Sequence, residues 1–216
     1  MTFESDQSSL RRYVSKQLEN MFPVFNTDYV IDDSAFLFSL QQTKVCLAGI
    51  KIAAKNEFNP FVSWQYAIFL HYLSRQIWLT NGDGEAATRV FLLNKALNGI
   101  DLYYQIEMPQ VFVLGHTVGL VFAKAVYGNY CVFHQNCTVG RDGDKRPVLE
   151  NGVILYPNSC VIGKCLVREN TVLTPGLQLV NTDTPGNCIV VPNPRGGVMF
   201  KEAKEYYADR YVHWLS

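Results

Sequence analysis

Several features that mark common classes of protein are missing from the sequence. Lysine plus arginine (19) equals aspartate plus glutamate (19), so no basic excess favours a nucleic-acid surface or a polybasic membrane patch. The longest apolar run, residues 60–73, is interrupted by polar side chains and is shorter than the roughly 20 residues of a bilayer span. The N-terminus also has no apolar signal-peptide core. We expect a soluble, cytoplasmic protein with no nucleic-acid partner and no membrane partner.

Common phosphate and metal motifs are missing too. The chain has neither a P-loop nor a Gly-x-Gly-x-x-Gly turn, which excludes phosphate cradles of those two kinds. Its six cysteines form no Cys-x-x-Cys pair and no cysteine-histidine group with the spacing of zinc ligands. We therefore expect no metal, and we interpret the cysteines as small buried side chains in a reducing compartment.

Residues 1–100 have the pattern of an α-helical N-terminal domain. Apolar residues recur at helical spacing in four segments, and residues that favour helix ends separate them. The third segment is apolar on nearly every side, so it should lie at the centre of the helices or at a subunit contact. The expected helices run from a cap at Asp6 to about Met21, from Ser34 after Asp32 or Asp33 to about Lys55, over 61–79 with Pro60 in the first turn, and from Glu85 to Asn98, where Gly99 ends the helix.

From about residue 100 the period changes to six, the signature of a parallel β-helix. Each hexapeptide forms one face of a prism, and its aliphatic residue points inward. A smaller residue four positions later also points inward, and asparagine or glycine suits the corners, where positive φ is needed. The aliphatic set is Leu149, Leu155, Val161, Val167, Leu173 and Leu179; the smaller set is Val153, Ser159, Cys165 and Thr171; the corner set is Asn151, Gly152, Asn158, Gly163, Asn170 and Gly176.

Two segments depart from the six-residue ladder. The glycine-rich, charged stretch at 140–147 is too polar to lie within a coil, so we expect it to protrude as a loop, and such loops commonly carry function. After Leu179 the ladder fades, and residues 201–216 have the composition of a closing C-terminal helix. The predicted domains are thus 1–100, 101–200 and the final helix.

Five short motifs between residues 60 and 195 resemble the serine O-acetyltransferase family. That family opens its β-helix with Asp-Ile-His-Pro and has Leu-Asp-His-Ala-Thr-Gly about fifteen residues later; here "IDLYYQ" at 100–105 and "LGHTVG" at 114–119 keep Asp101 and His116 at that spacing. The segment "HQNCTVG" at 134–140 resembles Gln-Ser-Val-Thr-Leu-Gly-Gly. In the same way "DKRP" at 144–147 resembles Asp-Arg-His-Pro, and "VVPNP" at 190–194 resembles Gly-Val-Pro-Ala.

The resemblance implies a left-handed β-helix and an acetyl-CoA-dependent O-acetyltransferase. His116 would be the general base that takes the acceptor's hydroxyl proton, and Asp101 would orient its imidazole. Each residue also has a purely structural alternative. For His116 it is a corner histidine hydrogen-bonded to a carbonyl, and for Asp101 it is a cap between helix and coil. The resemblance further implies a homo-oligomer, at least a trimer and plausibly a dimer of trimers, in which the site is completed.

Two departures concern the acceptor. Gly115 stands where the family has aspartate, and Lys145 with Arg146 stands where the family has arginine-histidine; in that family these positions help to hold the amino and carboxylate groups of the amino acid. Two cations can bind a carboxylate or a phosphate. L-Serine is the expected acceptor, and a sugar or nucleotide-sugar hydroxyl is the alternative. His134 and Gln135 are further candidates for the acceptor site.

Coenzyme A in this superfamily lies along the later coils, so nearby cations are candidates for its phosphates. These are Lys164, Arg168, Arg195 and Lys201, each of which is alternatively a plain surface charge. Two weaker functions stay open. His116 and His134 are eighteen residues apart, which would suit a carbonic-anhydrase-like zinc site, although a third histidine has no candidate. The second weaker function is that of a non-catalytic scaffold.

Overall fold

A computed structural model describes residues 7–23, 31–53 and 58–214. Four helices come first and a parallel β-helix follows, which confirms the predicted order of architecture. No helix among the described residues has the length and apolar character needed to cross a membrane. The helices are α1 (Gln7–Met21), α2 (Asp33–Ala48), α3 (Ser63–Asn81) and α4 (Gly84–Asn98).

The helix ends follow from local side chains. The Asp32 carboxylate accepts a hydrogen bond from the backbone N–H of Ala35 at 2.9 Å, which caps α2. Asp83 caps α4 in the same way, and Gly99 ends it with φ +65°, a conformation that glycine adopts without strain.

The structure differs from two of the predicted helix bounds, and a third lies outside its described residues. The second helix ends at Ala48, about seven residues before the predicted end, because Gly49 caps it and Ile50 already pairs with Val212. Pro60 precedes α3 rather than lying in its first turn, and Val62 is the N-cap. The predicted cap Asp6 lies outside the described residues.

The β-helix has three faces, each a parallel sheet. We call the sheet β1-β3-β6-β9-β12 the first face, β4-β7-β10 the second face, and β2-β5-β8-β11-β13 the third face, with β14 antiparallel at its edge. The strands are β1 (Ile100–Leu102), β2 (Phe112–Leu114), β3 (Leu120–Phe122), β4 (Val126–Tyr127), β5 (Cys131–Phe133), β6 (Thr138–Gly140), β7 (Val148–Leu149), β8 (Ile154–Leu155), β9 (Cys160–Ile162), β10 (Leu166–Val167), β11 (Thr171–Leu173), β12 (Gln178–Val180), β13 (Cys188–Pro192) and β14 (Val198–Glu202).

The predicted inward ladder is confirmed. All six aliphatic residues from Leu149 to Leu179 are no more than 1 % exposed, and the smaller set from Val153 to Thr171 is buried as well. Five of the six predicted corner residues have positive φ. The exception is Asn151, whose side chain instead accepts a hydrogen bond from the backbone N–H of Asn129 at 2.9 Å.

The register shows where the coil is interrupted. Thr138 pairs with Cys160, 22 residues later, whereas Cys160 pairs with Gln178, 18 residues later, so the coil that contains 140–147 holds four extra residues. These form a tight hairpin in which Asp142 and Lys145 exchange both backbone hydrogen bonds. Residues 141–146 are exposed, as predicted for a protruding loop.

The predicted C-terminal helix over 201–216 is wrong. Val198–Glu202 pairs with the edge strand β13, which gives that strand's backbone groups a partner, and only Tyr207–Arg210 forms a single 3-10 turn. We call residues 203–214 the C-terminal segment. It returns along the β-helix to the helical domain, where the N–H of Lys51 donates to the carbonyl of Tyr211 at 2.8 Å.

One buried histidine in the helical domain makes stability depend on pH. His71 on α3 is fully buried, and its pKa falls from the ordinary 6.5 to about 3; burial is the main cause, Arg75 adds to it, and the backbone of Leu102 partly opposes it. Below pH 6.5 the unfolded chain binds a proton that the folded chain rejects. The free energy of unfolding should therefore lose about 1.4 kcal/mol per pH unit from this residue as the pH falls toward 4.

Urea unfolding of the wild type and of His71→Leu between pH 7 and 4.5 measures this contribution. The difference between the two chains isolates His71, because the carboxylates and the other histidines titrate in both. As the pH falls, the free energy of unfolding should decrease less in His71→Leu than in the wild type. Parallel pH profiles would contradict the prediction.

Candidate active site at a corner of the beta-helix

His116 lies at the corner that joins the third face to the first, between β2 and β3. We call this the His116 corner. Its side chain is exposed, and it makes no hydrogen bond or ion pair within the residues that the structure describes. Leu114 pairs with Phe133 in the next coil, so His116 lies level with Gln135. The coil thus fixes the backbone position of His116, while both ring nitrogens stay open to a substrate.

Asp101 lies on the strand that pairs with the one following His116. It is at the centre of β1, level with Val121 of β3, and points out of the prism because Ile100 and Leu102 are buried on either side. Its Oδ2 accepts a hydrogen bond from Nζ of Lys95 at 2.7 Å. No hydrogen bond joins Asp101 to His116 in the described chain, but Oδ1 of Asp101 accepts none there either, so one oxygen stays available.

His134 is held in a cluster beside His116. Its ring stacks on Tyr156 with centroids 5.0 Å apart, and its Nε2 lies 3.4 Å from the hydroxyl of Tyr211. The hydroxyls of Tyr156 and Tyr211 are 3.3 Å apart. Burial lowers the pKa of His134, and the nearby His116 lowers it further. His134 is therefore a neutral imidazole at physiological pH.

Gly115 owes its identity to this cluster. A Cβ added to Gly115 would lie 2.8 Å from Nδ1 of His134, a distance that real Cβ atoms almost never show. No side chain fits at position 115 unless His134 moves. The imidazole of His134 therefore accounts for the absence of a carboxylate at position 115, directly before His116.

Gln135 offers a second polar group at this corner. Its Oε1 is buried and has no hydrogen-bond partner among the described residues, although buried acceptors are usually paired.

The loop cations lie at a different corner. The loop joins the first face to the second, so one whole face separates Lys145 and Arg146 from His116 within one chain. Nζ of Lys145 is 3.9 Å from the carboxylate of Asp142, and that carboxylate accepts a hydrogen bond from Asn181 at 3.0 Å. Both cations are exposed. A pocket that contains His116 and this loop needs two copies of the chain.

The four candidate coenzyme A cations do not converge. Lys164 is exposed at the loop corner, one coil beyond the hairpin. Arg168 lies at the corner between the second and third faces, where its guanidinium donates to the carbonyl of Thr184 at 2.6 Å. The other two are exposed near the end of the β-helix: Arg195 between β13 and β14, and Lys201 on β14.

The described residues contain no group of three histidine, cysteine or acidic side chains that could hold a metal ion. Sequence reasoning missed Lys95, Tyr156 and Tyr211 as neighbours of the predicted site. Tyr211 could not be placed because its segment was interpreted as a helix. A count of coil positions could have found Tyr156, which follows Leu155 just as His134 follows Phe133.

Comparisons with known proteins find similarity to serine acetyltransferases in sequence and in fold. No family model matches the chain. In sequence, it is 29% identical over 114 residues to a serine acetyltransferase of Synechococcus elongatus, a match that covers 50% of this chain and 46% of that protein. The chain thus aligns with about half the length of this curated relative.

Solved structures cover more of the chain. The serine acetyltransferase of Neisseria gonorrhoeae in complex with serine superposes with a TM-score of 0.72 and 21% identity over 91% of this chain and 84% of that one. The enzyme of Brucella abortus strain S19 in complex with coenzyme A gives a TM-score of 0.61 and 17% identity over 90% and 75%. The chain therefore has the serine acetyltransferase fold, with its helical N-terminal domain and its parallel β-helix.

Proposed function

We propose that the chain is an acetyl-CoA-dependent O-acetyltransferase whose acceptor is L-serine. The observation that supports this most directly is that an exposed, unpartnered His116 and Asp101 on the preceding coil keep the family's spacing in the serine acetyltransferase fold. The sequence relative and the complexes with serine and with coenzyme A support the same acceptor and donor.

In the proposed reaction His116 is the base and Asp101 positions it. One ring nitrogen of His116 takes the proton from the serine hydroxyl as the oxygen attacks the thioester carbonyl of acetyl-CoA. The tetrahedral intermediate collapses, the C–S bond breaks, and the thiolate of coenzyme A takes the proton from the imidazolium. Oδ1 of Asp101 accepts a hydrogen bond from the other ring nitrogen, which fixes the tautomer and stabilises the positive charge.

Lys95 keeps the dyad anchored in this proposal. Its ammonium holds Oδ2 of Asp101, so the carboxylate cannot turn freely and presents Oδ1 outward. Because both side chains are partly exposed, this ion pair contributes little to stability, and its role is to orient the carboxylate of Asp101.

For coenzyme A, the exposed cations Lys164, Arg195 and Lys201 remain proposed phosphate partners. Arg168 is less available, because its guanidinium is already bound to a backbone carbonyl. The thioester itself needs only backbone groups of the coils.

We further propose a homo-oligomer, at least a trimer and plausibly a dimer of trimers, in which the site lies between copies. Four valines are 42–65% exposed: Val121 and Val180 on the first face, Val126 on the second face, and Val118 at the His116 corner. The outward residues of the third face, such as Val132 and Ile154, are instead buried. A second copy packed on the open faces would cover the valines and bring its loop cations to His116.

The free cysteines fit a protein of the reducing cytoplasm, where we place it. None of the six forms a disulfide, and burial raises the pKa of those inside the coils, such as Cys131. Five of the six are buried side chains, whereas Cys160 on β9 is half-buried, which departs from the expectation that all the cysteines are buried.

A thiol-release assay with acetyl-CoA tests the proposed function. The acceptors are L-serine and a panel of sugars and nucleotide sugars, and hydrolysis without acceptor is the background. We expect acceptor-dependent release of coenzyme A with L-serine. If coenzyme A is released only with a sugar, the proposed acceptor is wrong and the proposed acetyl transfer stands. If no hydroxyl compound causes release, the non-catalytic scaffold is favoured.

A further inference from the structure

Two histidines face the same corner, and the proposed reaction uses only one of them. His134 lies in the coil after His116, and its ring lies against Gly115, with Nδ1 2.8 Å from the position that a Cβ of residue 115 would take. We propose that His134 recognises the amino group of the acceptor: its Nδ1 accepts a hydrogen bond from the ammonium of L-serine while His116 takes the hydroxyl proton. This inference rests on the proposed function and names one specificity-determining residue of it.

The tyrosine cluster can stabilise the tautomer that this role needs. Nε2 of His134 lies 3.4 Å from the hydroxyl of Tyr211, to which an Nε2–H would donate, and Tyr211 would donate in turn to Tyr156. Nε2 then carries the hydrogen and Nδ1 keeps its lone pair. Nδ1 has no partner within the described chain, so it is free to accept a hydrogen bond from a ligand.

The charges around His134 agree with a neutral acceptor. Its titratable neighbours are His116 from the preceding coil, Tyr156 from the following coil and Tyr211 from the C-terminal segment. Beyond them, Arg210 is paired with Glu205 and lies over the ring of Tyr207. No carboxylate contacts His134 among the described residues, so nothing there stabilises its imidazolium, and the lone pair stays available to an ammonium.

Space makes His134 and a carboxylate at position 115 mutually exclusive. With the 2.8 Å approach of Nδ1 to a Cβ at 115, the chain can hold one group or the other at this point, and it holds the imidazole. Gln135 follows His134, and its Oε1 is buried without a hydrogen-bond partner among the described residues, so Nδ1 of His134 is the acceptor that this role uses.

The test compares two acceptors that differ only in the amino group. Steady-state KM values are measured for L-serine and for 3-hydroxypropionate, with saturating acetyl-CoA, in the wild type, His134→Leu and His134→Asn. His134→Leu should raise the KM for L-serine about 10- to 100-fold, the usual cost of losing a hydrogen bond to a charged group, and should leave 3-hydroxypropionate little changed. His134→Asn keeps an oxygen or nitrogen near Nδ1 and should lose less.

His213→Gln is the matched control, since His213 is exposed and its hydrogen bond to Gly49 uses only the backbone. Circular dichroism checks that each variant is folded. If His134→Leu fails to fold, the comparison of L-serine with 3-hydroxypropionate in the wild type and in His134→Asn still decides. A KM that rises equally for both acceptors, or for neither, would overturn the role of His134 alone. A wild type that does not acetylate L-serine would overturn the proposed function and this role with it.

Discussion

His116→Gln should lower kcat for acetyl transfer to L-serine about 10²- to 10⁴-fold, the usual contribution of a general base. A hydroxyl is a weak nucleophile near pH 7, and glutamine cannot take its proton. His116 is exposed and bonds to no described part of the chain, so the exchange should leave folding intact. Stopped-flow or steady-state thiol release gives kcat, and titration with coenzyme A shows whether donor binding is unchanged.

Asp101→Asn and the double variant Asp101→Asn/His116→Gln show whether Asp101 acts through His116 or separately. If Asp101 acts only by positioning His116, then Asp101→Asn should lower kcat in the wild-type chain and cost nothing more once His116 is glutamine. His213→Gln again serves as the histidine control. A His116→Gln enzyme with full kcat would refute the base assignment, and additive losses in the double variant would assign Asp101 a separate role.

The β-helix could be predicted because its rule is local and repeated. A buried aliphatic residue at every sixth position satisfies one geometric demand many times, so single exceptions do not hide it. The loop at 140–147 was equally visible, because its charges cannot be buried in a coil. The start of the second helix at Asp32 or Asp33 and the end of the fourth at Gly99 were predicted for the same local reason, whereas the cap at Asp83 was not predicted.

The C-terminal segment could not be predicted because its structure depends on distant partners. Its tyrosines bond to coils that are far away in sequence; the N–H of Tyr207 donates to the side-chain oxygen of Asn170, and the hydroxyl of Tyr206 donates to Glu169. Locally the segment looks helical, but the edge of β13 and the surface of the third face decide otherwise. Its contribution of Tyr211 to the His116 corner was therefore hidden as well.

The candidate site was predicted in its residues but not in their arrangement. Spacing pointed to Asp101 and His116, yet it gave no sign that Lys95 holds the carboxylate or that Gly115 makes room for His134. The resemblance also implied that Lys145 and Arg146 help to hold the acceptor, without showing how far they lie from His116 in one chain. The three-sided prism instead separates these cations from His116 by a full face.

This separation predicts that two inactive variants restore activity when their subunits mix. Lys145→Glu/Arg146→Glu should raise the KM for L-serine about 10- to 100-fold, because its carboxylate would meet two anions in place of two cations. His116→Gln lacks the base but keeps the loop. In a mixed oligomer the loop of a His116→Gln subunit can serve the intact His116 of its neighbour.

The expected yield follows from counting. If every site combines His116 of one copy with the loop of the next, a trimer that contains both variants has both intact residues at one of its three sites, and a dimer of trimers has them at about a quarter of its sites on average. The two variants are co-expressed with different affinity tags, purified through both tags and assayed at an L-serine concentration well below the variant KM. Either variant mixed with itself is the control. About a quarter to a third of wild-type activity would establish a site shared between copies. If activity does not rise above that of the parent variants in oligomers that carry both tags, His116 and the loop cations do not act in one intersubunit site, because no mixed pair of chains then assembles a working pocket.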